Sequence, residues 1–289
     1  MDGVIIINKA KDFTSNDVVQ KMRKILNTKK VGHTGTLDPN ATGVLPILVG
    51  KGTKLSKYLI EHDKTYIATL KLGEKRSTGD TEGEIIKQKE VSKNMLDKTS
   101  INNVLKTFLG KQKQTPPIYS AIKINGKKLY EYAREGKQVE IPEREIEIYS
   151  IELKEINKET QEIIFEVSCS KGTYIRVLCE DIAEKLGTVG YMKELTRTKV
   201  NNFTIENSNT FEQLENMETN KIENLIINIE EIFKEKDKII LNNRKLELFL
   251  NGVMLTQKLP NELYRIYDEK NNFIGLGEIK EELLKRDIV

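Results

Sequence analysis

Between Lys29 and Gly50 the chain reads KKVGHTGTLDPNATGVLPILVG. Glycines at 32, 35 and 43 let the backbone turn tightly or come close to a ligand. The apolar VLPILVG that follows reads as a buried strand. A glycine-rich loop is thus anchored on rigid sheet, and it carries a carboxylate, Asp38, beside His33 and Thr34 and behind Lys29 and Lys30. A phosphate cradle would not want that carboxylate, and a metal site would want more ligands. Asp-Pro alone is a turn former. In this company the same carboxylate is a candidate nucleophile or general base.

The flanking segments supply the frame. GVIIIN (Gly3–Asn8) is a β-branched run and predicts a buried strand. TSNDVVQKMRKIL predicts a helix: Thr14 stands three before Asp17 as in a capping pattern, and Val18, Val19, Met22, Ile25 and Leu26 share one face. TYIATLKLG and EIIKQKEV read as strands, and residues 93–109 as a helix. QEIIFEVSC is a strand, followed by a Ser-Lys-Gly turn and a helix that buries Ile175, Leu178, Cys179, Ile182 and Leu186 and stops at Gly187. From about Lys238 the period-2 apolar runs and Gly/Asn turns predict a small all-β module. Strands and helices alternate without regular βαβ spacing, so the fold class expected is mixed α+β with a large sheet.

Net charge is only +3, but it is unevenly placed. Residues 1–60 carry ten Lys/Arg against four Asp/Glu (+6), residues 111–140 seven against three (+4), and residues 205–240 four against nine (−5). Two basic regions with an acidic one elsewhere suit a polyanion-binding face. Two cysteines ten apart fit neither a disulfide framework nor a zinc spacing, and two histidines argue against a histidine-based metal site. No run approaches membrane-spanning length, so a cytoplasmic, reduced protein is expected. LVGKGTKLS fails as a P-loop, and the loop glycines have the wrong spacing for a dinucleotide fingerprint.

GHTGTLDPNATGVLP resembles the catalytic motif of the TruB family, the tRNA pseudouridine-55 synthases. DKTYIATLKLG, PPIYSAIKINGKKLYEYAREG, SCSKGTYIRVLCEDIAEKLG and YMKELTRT agree in the same order, so the resemblance covers essentially the whole chain. It implies a catalytic domain over residues 1–237, with a large, mainly antiparallel mixed sheet flanked by helices. An RNA-gripping insertion is implied at about 119–144, and a C-terminal PUA-like RNA-binding domain over 238–289. The implied activity is isomerisation of the T-loop uridine of tRNA, in a monomer with no cofactor, metal or membrane. The reaction breaks N1–C1′ and joins C5 to C1′, so no redox change or group donor enters.

The same resemblance puts the nucleophile on Asp38, which could attack C1′ or C6 or abstract a sugar proton. It puts Tyr66 against the extruded base and the departing C5 proton, and Arg176 beside the nucleophile, where a guanidinium keeps a carboxylate ionised and oriented. Tyr174 and Leu195 would wall the uracil pocket, and His33 would fill the gap or stack on RNA. Lys9 is expected at the substrate, and Lys29, Lys30, Lys123, Lys127, Lys128, Arg134 and Lys137 at RNA phosphates. One departure stands out. Family members commonly show Lys-Pro and then glycine after the first strand, whereas this chain has Lys9-Ala10-Lys11-Asp12. That puts the turn geometry in question and leaves the chemistry intact.

Three rival readings remain. One is a non-catalytic RNA-binding or RNA-folding protein on the same fold, which loss of Asp38, Tyr66 or Arg176 would have favoured. Another is a synthase for a uridine in a different RNA. The third, an aspartate-based glycosidic hydrolase, needs a second carboxylate, for which Asp80 and Glu180 are candidates by type.

Overall fold

A computed structural model describes residues 1–60 and 62–289. The run GVIIINK forms β1 (Gly3–Lys9), buried almost throughout. α1 (Ser15–Ile25) starts from a capping box in which Thr14 Oγ1 accepts from the Asp17 N–H and the Asp17 carboxylate accepts from the Thr14 N–H. β2 (Val31–His33) leads into the Asp38 loop, and β3 (Thr42–Val49) leaves it. After the short α2 (Ser56–Leu59) comes β4 (Lys64–Leu72), then the hairpin β5 (Glu74–Arg76) and β6 (Ile85–Gln88).

The segment read as one helix over 93–109 is broken. A 3₁₀ turn covers Lys93–Leu96, and Asp97 then caps a separate α3 (Lys98–Lys106) by accepting from the Thr99 and Ser100 N–H groups. Asp97 is extended, which a continuous helix does not allow. β7 (Gly110–Gln114), an edge strand of the main sheet, leads into the insertion. The insertion contains a small hairpin of β8 (Lys123–Ile124) and β9 (Lys127–Lys128) and then α4 (Leu129–Arg134). β10 (Arg144–Asn157), β11 (Glu162–Cys169), α5 (Ile175–Lys185) and β12 (Gly190–Val200) complete the catalytic frame. The acidic stretch breaks into β13 (Phe203–Thr204), α6 (Phe211–Glu215), α7 (Thr219–Glu223), β14 (Ile227–Asn228) and α8 (Ile229–Ile232).

The main sheet runs β14-β1-β3-β12-β4-β11-β10-β7, with β2 on β3 and β13 on β12. Its pairings are antiparallel except β3 with β12, which run parallel over two residue pairs. Alternation divides the core. Ile5, Ile7, Leu45 and Ile47 face the cluster that holds Val18, Met22, Leu178 and Ile182 of α1 and α5. Val4, Ile6, Val44 and Leu48 face the opposite side.

The C-terminal segment supplies a second sheet, of β15 (Lys238–Ile240), β16 (Leu255–Thr256), β17 (Leu263–Tyr267), β18 (Phe273–Lys280) and β19 (Leu283–Ile288). It is not built of strands alone. Residues read as a period-2 run form α9 (Asn243–Leu250), because Asn242 caps it at the Lys245 N–H and turns Leu246 and Phe249 onto one face. Leu276 and Ile288 of this sheet pack into the same cluster as Val4, Ile6, Val44 and Leu48. Lys57 and Tyr58 both pair with Asp287 across that contact.

The C-terminal module therefore covers apolar surface of the catalytic sheet. A fragment ending at residue 237 is expected to bind a hydrophobic dye and to lose cooperative thermal unfolding. A fragment that melts cooperatively with no dye binding would show that the catalytic part stands alone.

Candidate active site

One register row crosses the middle of the main sheet. Lys9 pairs with Gly43, Gly43 with Arg197, and Arg197 with Tyr66. Gly43 has φ +102°, and a Cβ there would lie 2.2 Å from the Arg197 carbonyl oxygen. Glycine alone lets the two parallel strands meet at this point.

The Asp38 loop is pinned on both sides of its carboxylate. Leu37 is buried, and both its backbone groups bond Ser15 Oγ, at 2.9 and 3.2 Å. The Pro39 carbonyl accepts from the Asp12 N–H at 3.0 Å and from Lys9 Nζ at 3.0 Å. Asp12 holds φ +66°, so the turn forms here with a left-handed aspartate. From the strand side, Arg197 Nε donates to the Val44 carbonyl at 2.7 Å and Nη2 to the Gly35 carbonyl at 3.3 Å.

Lys9 is thereby corrected. It was expected at the substrate, yet it is fully buried, and its ammonium donates to the carbonyls of Ala10, Phe13 and Pro39. It braces the loop from beneath.

Asp38 faces outward, its side chain 41% exposed, and its Oδ2 lies 3.2 Å from Arg176 Nε. Arg176 is buried in the first turn of α5 and spends its remaining donors elsewhere. Nη1 faces Asp80 Oδ2 at 3.4 Å and donates to the Thr78 carbonyl at 3.2 Å, while Nη2 donates to the Tyr119 carbonyl at 3.0 Å. The pairing expected between Arg176 and Asp38 is present, with a single nitrogen rather than a two-pronged fork. Asp80 was missed as a partner of Arg176. Its other oxygen accepts from Thr78 Oγ1 and the Glu82 N–H. Glu180 pairs with Lys75 at 3.2 Å. Neither candidate is a free second carboxylate for a hydrolase.

Asp38, Tyr66, Tyr174 and Arg176 line a cleft of about 730 Å³, together with Lys64, Arg144 and Lys171. A recess of about 110 Å³ that shares its Asp38, Tyr66, Tyr174 and Arg176 walls adds Leu195 and Met192. Burial pushes the Tyr66 phenol up to about 12, although the charge of Arg197 pulls the other way. The phenol is therefore neutral at pH 7. His33 stands on β2 and is not among the walls of either hollow. Burial, then the charge of Arg197, lowers its imidazole below the ordinary value.

Lys29, Lys30 and Lys123 are exposed. Lys127 and Lys137 both pair with Glu135, Lys128 reaches the Tyr130 hydroxyl, and Arg134 stands over the Tyr130 ring. Arg197 and Gln114 escaped sequence reading because a strand arginine or glutamine carries no local mark of burial. Among the described residues no group of three or more His, Cys, Asp or Glu could hold a metal ion, and no helix is long and apolar enough to cross a membrane.

Burial holds the Lys9 ammonium at about 8, below its usual 10.5, with the charge of Asp38 opposing the shift. Between those values the unfolded chain keeps a proton that the folded chain has released. This group's contribution to stability therefore grows more favourable as pH rises through the window, and its burial cost stands in full below it. Urea unfolding should show the wild-type-minus-Lys9→Met stability difference rising with pH between 8 and 10.5, approaching about 1.4 kcal/mol per unit. A flat difference would show that burial does not depress this ammonium.

Comparison with known proteins bears on all of this. Residues 23–175 match the TruB family pseudouridylate synthase N-terminal domain, 176–234 the tRNA pseudouridylate synthase B C-terminal domain, and 238–285 the pseudouridine synthase II TruB C-terminal domain. The chain is 43% identical to the tRNA pseudouridine synthase B of Alkaliphilus oremlandii, over 98% of this chain and 94% of that one. It is equally similar to that of Clostridium acetobutylicum, at 43% over 99% and 98%. Among solved structures it resembles a chain of a Cbf5-Nop10-Gar1 complex, with TM-score 0.70 and 25% identity, covering 99% of this chain and 83% of that chain.

Proposed function

The chain belongs to the TruB family of pseudouridylate synthases, and from that membership we propose that it isomerises the T-loop uridine of tRNA, position 55, with Asp38 as nucleophile. It is an isomerase that makes pseudouridine in tRNA. The observation that carries the finer reading is the ion pair of Asp38 with Arg176 at the floor of an aromatic-walled cleft.

A uridine in a folded T loop is stacked and must be extruded, at a cost of about a few kcal/mol. The cleft offers Tyr66 and Tyr174 to the flipped base and Leu195 to its far edge. Asp38 then meets the nucleotide with its one contact to Arg176 holding its aim. Attack at C1′, attack at C6 and abstraction of a sugar proton all draw on this carboxylate. In each route N1–C1′ breaks, the base turns in the recess, C5–C1′ forms, and the C5 proton leaves as N1 gains one. Tyr66, protonated and influenced by Arg197, borders the turning base. Lys64, Arg144 and Lys171 at the cleft, with the insertion's cations, suit the RNA backbone.

The test is tritium release from C5-labelled uridine in an unmodified T-arm stem-loop. Release is expected when the label sits at the T-loop uridine and not when only other uridines of the stem-loop carry it. Release from the other positions alone would sink the positional assignment.

Arg176→Lys should lower turnover by about 10²-fold, because one ammonium cannot meet two carboxylates and two carbonyls at once. Unchanged turnover would remove Arg176 from the site.

T-arm binding should weaken steeply as salt rises, measured by filter retention; a flat response would contradict a phosphate-binding face.

A further inference from the structure

The base of the insertion touches the catalytic helix through one buried side chain. Gln114 ends β7 and stands in register with Arg144 at the start of β10, so residues 115–143 form one long excursion closed by that pair. Gln114 is 6% exposed. Its Oε1 accepts from the Tyr174 N–H at 2.8 Å, and its Nε2 donates to the Tyr174 carbonyl at 3.1 Å. The carboxamide therefore pairs with both backbone groups of one residue, as a neighbouring strand would.

That residue matters. Tyr174 is the N-cap of α5, and no side chain caps the helix there. Its carbonyl also accepts the Leu178 N–H at 3.1 Å, the bond that opens the helix. Arg176 follows two residues later. The chain beyond Gln114 passes through Pro116 and Pro117, which restrict it. It then offers the Tyr119 carbonyl to Arg176 Nη2. Two ties five residues apart thus join the insertion's entrance to the segment that carries the uracil wall and the guanidinium.

We propose that Gln114 is a positioning residue whose amide fixes the Tyr174 backbone, and through it the aim of the Tyr174 ring and Arg176 at Asp38, so that the insertion's base and the catalytic carboxylate are set as one unit. This rests on the reading of Asp38, Tyr174 and Arg176 as the reaction's machinery. The requirement is specific: one acceptor and one donor, side by side, uncharged. A protonated carboxylic acid meets it and a carboxylate does not, because both its oxygens accept and one would face the Tyr174 carbonyl.

The experiment compares wild type, Gln114→Met and Gln114→Glu in tritium release from the T-arm stem-loop across pH, with amide hydrogen exchange at Tyr174 as a readout independent of turnover. Gln114→Met should lose about 10²-fold in kcat, with KM near wild type, at every pH. Gln114→Glu should approach wild type at acidic pH and fall toward Gln114→Met as its carboxyl ionises. That comparison is made within one variant, so a general folding defect would not produce it. The Tyr174 amide should exchange faster in Gln114→Met than in wild type. A Gln114→Glu profile parallel to wild type, a Gln114→Met enzyme with normal kcat, or unchanged exchange at Tyr174 would each overturn the proposal. No release by wild type would instead count against the functional reading, and the exchange measurement would still decide the role of Gln114.

Discussion

Strands β3 and β12 meet over two residue pairs, and at one of them the α-carbon of Gly43 lies against the Arg197 backbone. Nearly everything at the site is referred to that contact. It sets the distance between the strand that leaves the Asp38 loop and the strand that carries Leu195 and Arg197. It also brings Lys9 and Tyr66 into the same row. Any Cβ at residue 43 would push the loop away from the wall it works against.

Three cations then hold one small loop. Burying a charge is costly unless it is paired or fully hydrogen-bonded. Lys9 and Arg197 meet that condition with backbone carbonyls of the loop and its neighbours, so their charges reinforce the loop's shape. Arg176 meets it with two carboxylates and two carbonyls drawn from three separate segments. Of the two carboxylates, Asp38 is the half-open one, its side chain 41% exposed against 9% for Asp80. The fold leaves the Asp38 carboxylate in the open by satisfying the cations around it elsewhere.

The sequence made the local parts of this legible. Gly35 and Gly43, Asp38 before Pro39, the Thr14–Asp17 capping box and the buried face of α5 are written in short-range spacing, and all were readable. The family resemblance supplied the partnership of Asp38 with Arg176. What stayed hidden depends on distant register. Arg197 bonds a carbonyl 153 positions away, Arg176 one 98 away, and Gln114 one 60 away. Nothing near Gln114 or Arg197 in the chain marks them as buried. Lys9 shows the opposite failure: the resemblance puts it at the substrate, while three nearby carbonyls claim it. The helix α9 was obscured because its apolar residues also satisfy a period of two, and the deciding signal was the cap, Asn242.

The central claim is that Asp38 performs the chemistry while the surrounding cations only place it. Single-turnover conversion of a T-arm stem-loop by Asp38→Asn, with RNA affinity measured on the same preparation, tests it most directly. The account predicts RNA bound with near wild-type affinity and no pseudouridine formed. Conversion at the wild-type rate would contradict it and move the nucleophile elsewhere in the cleft.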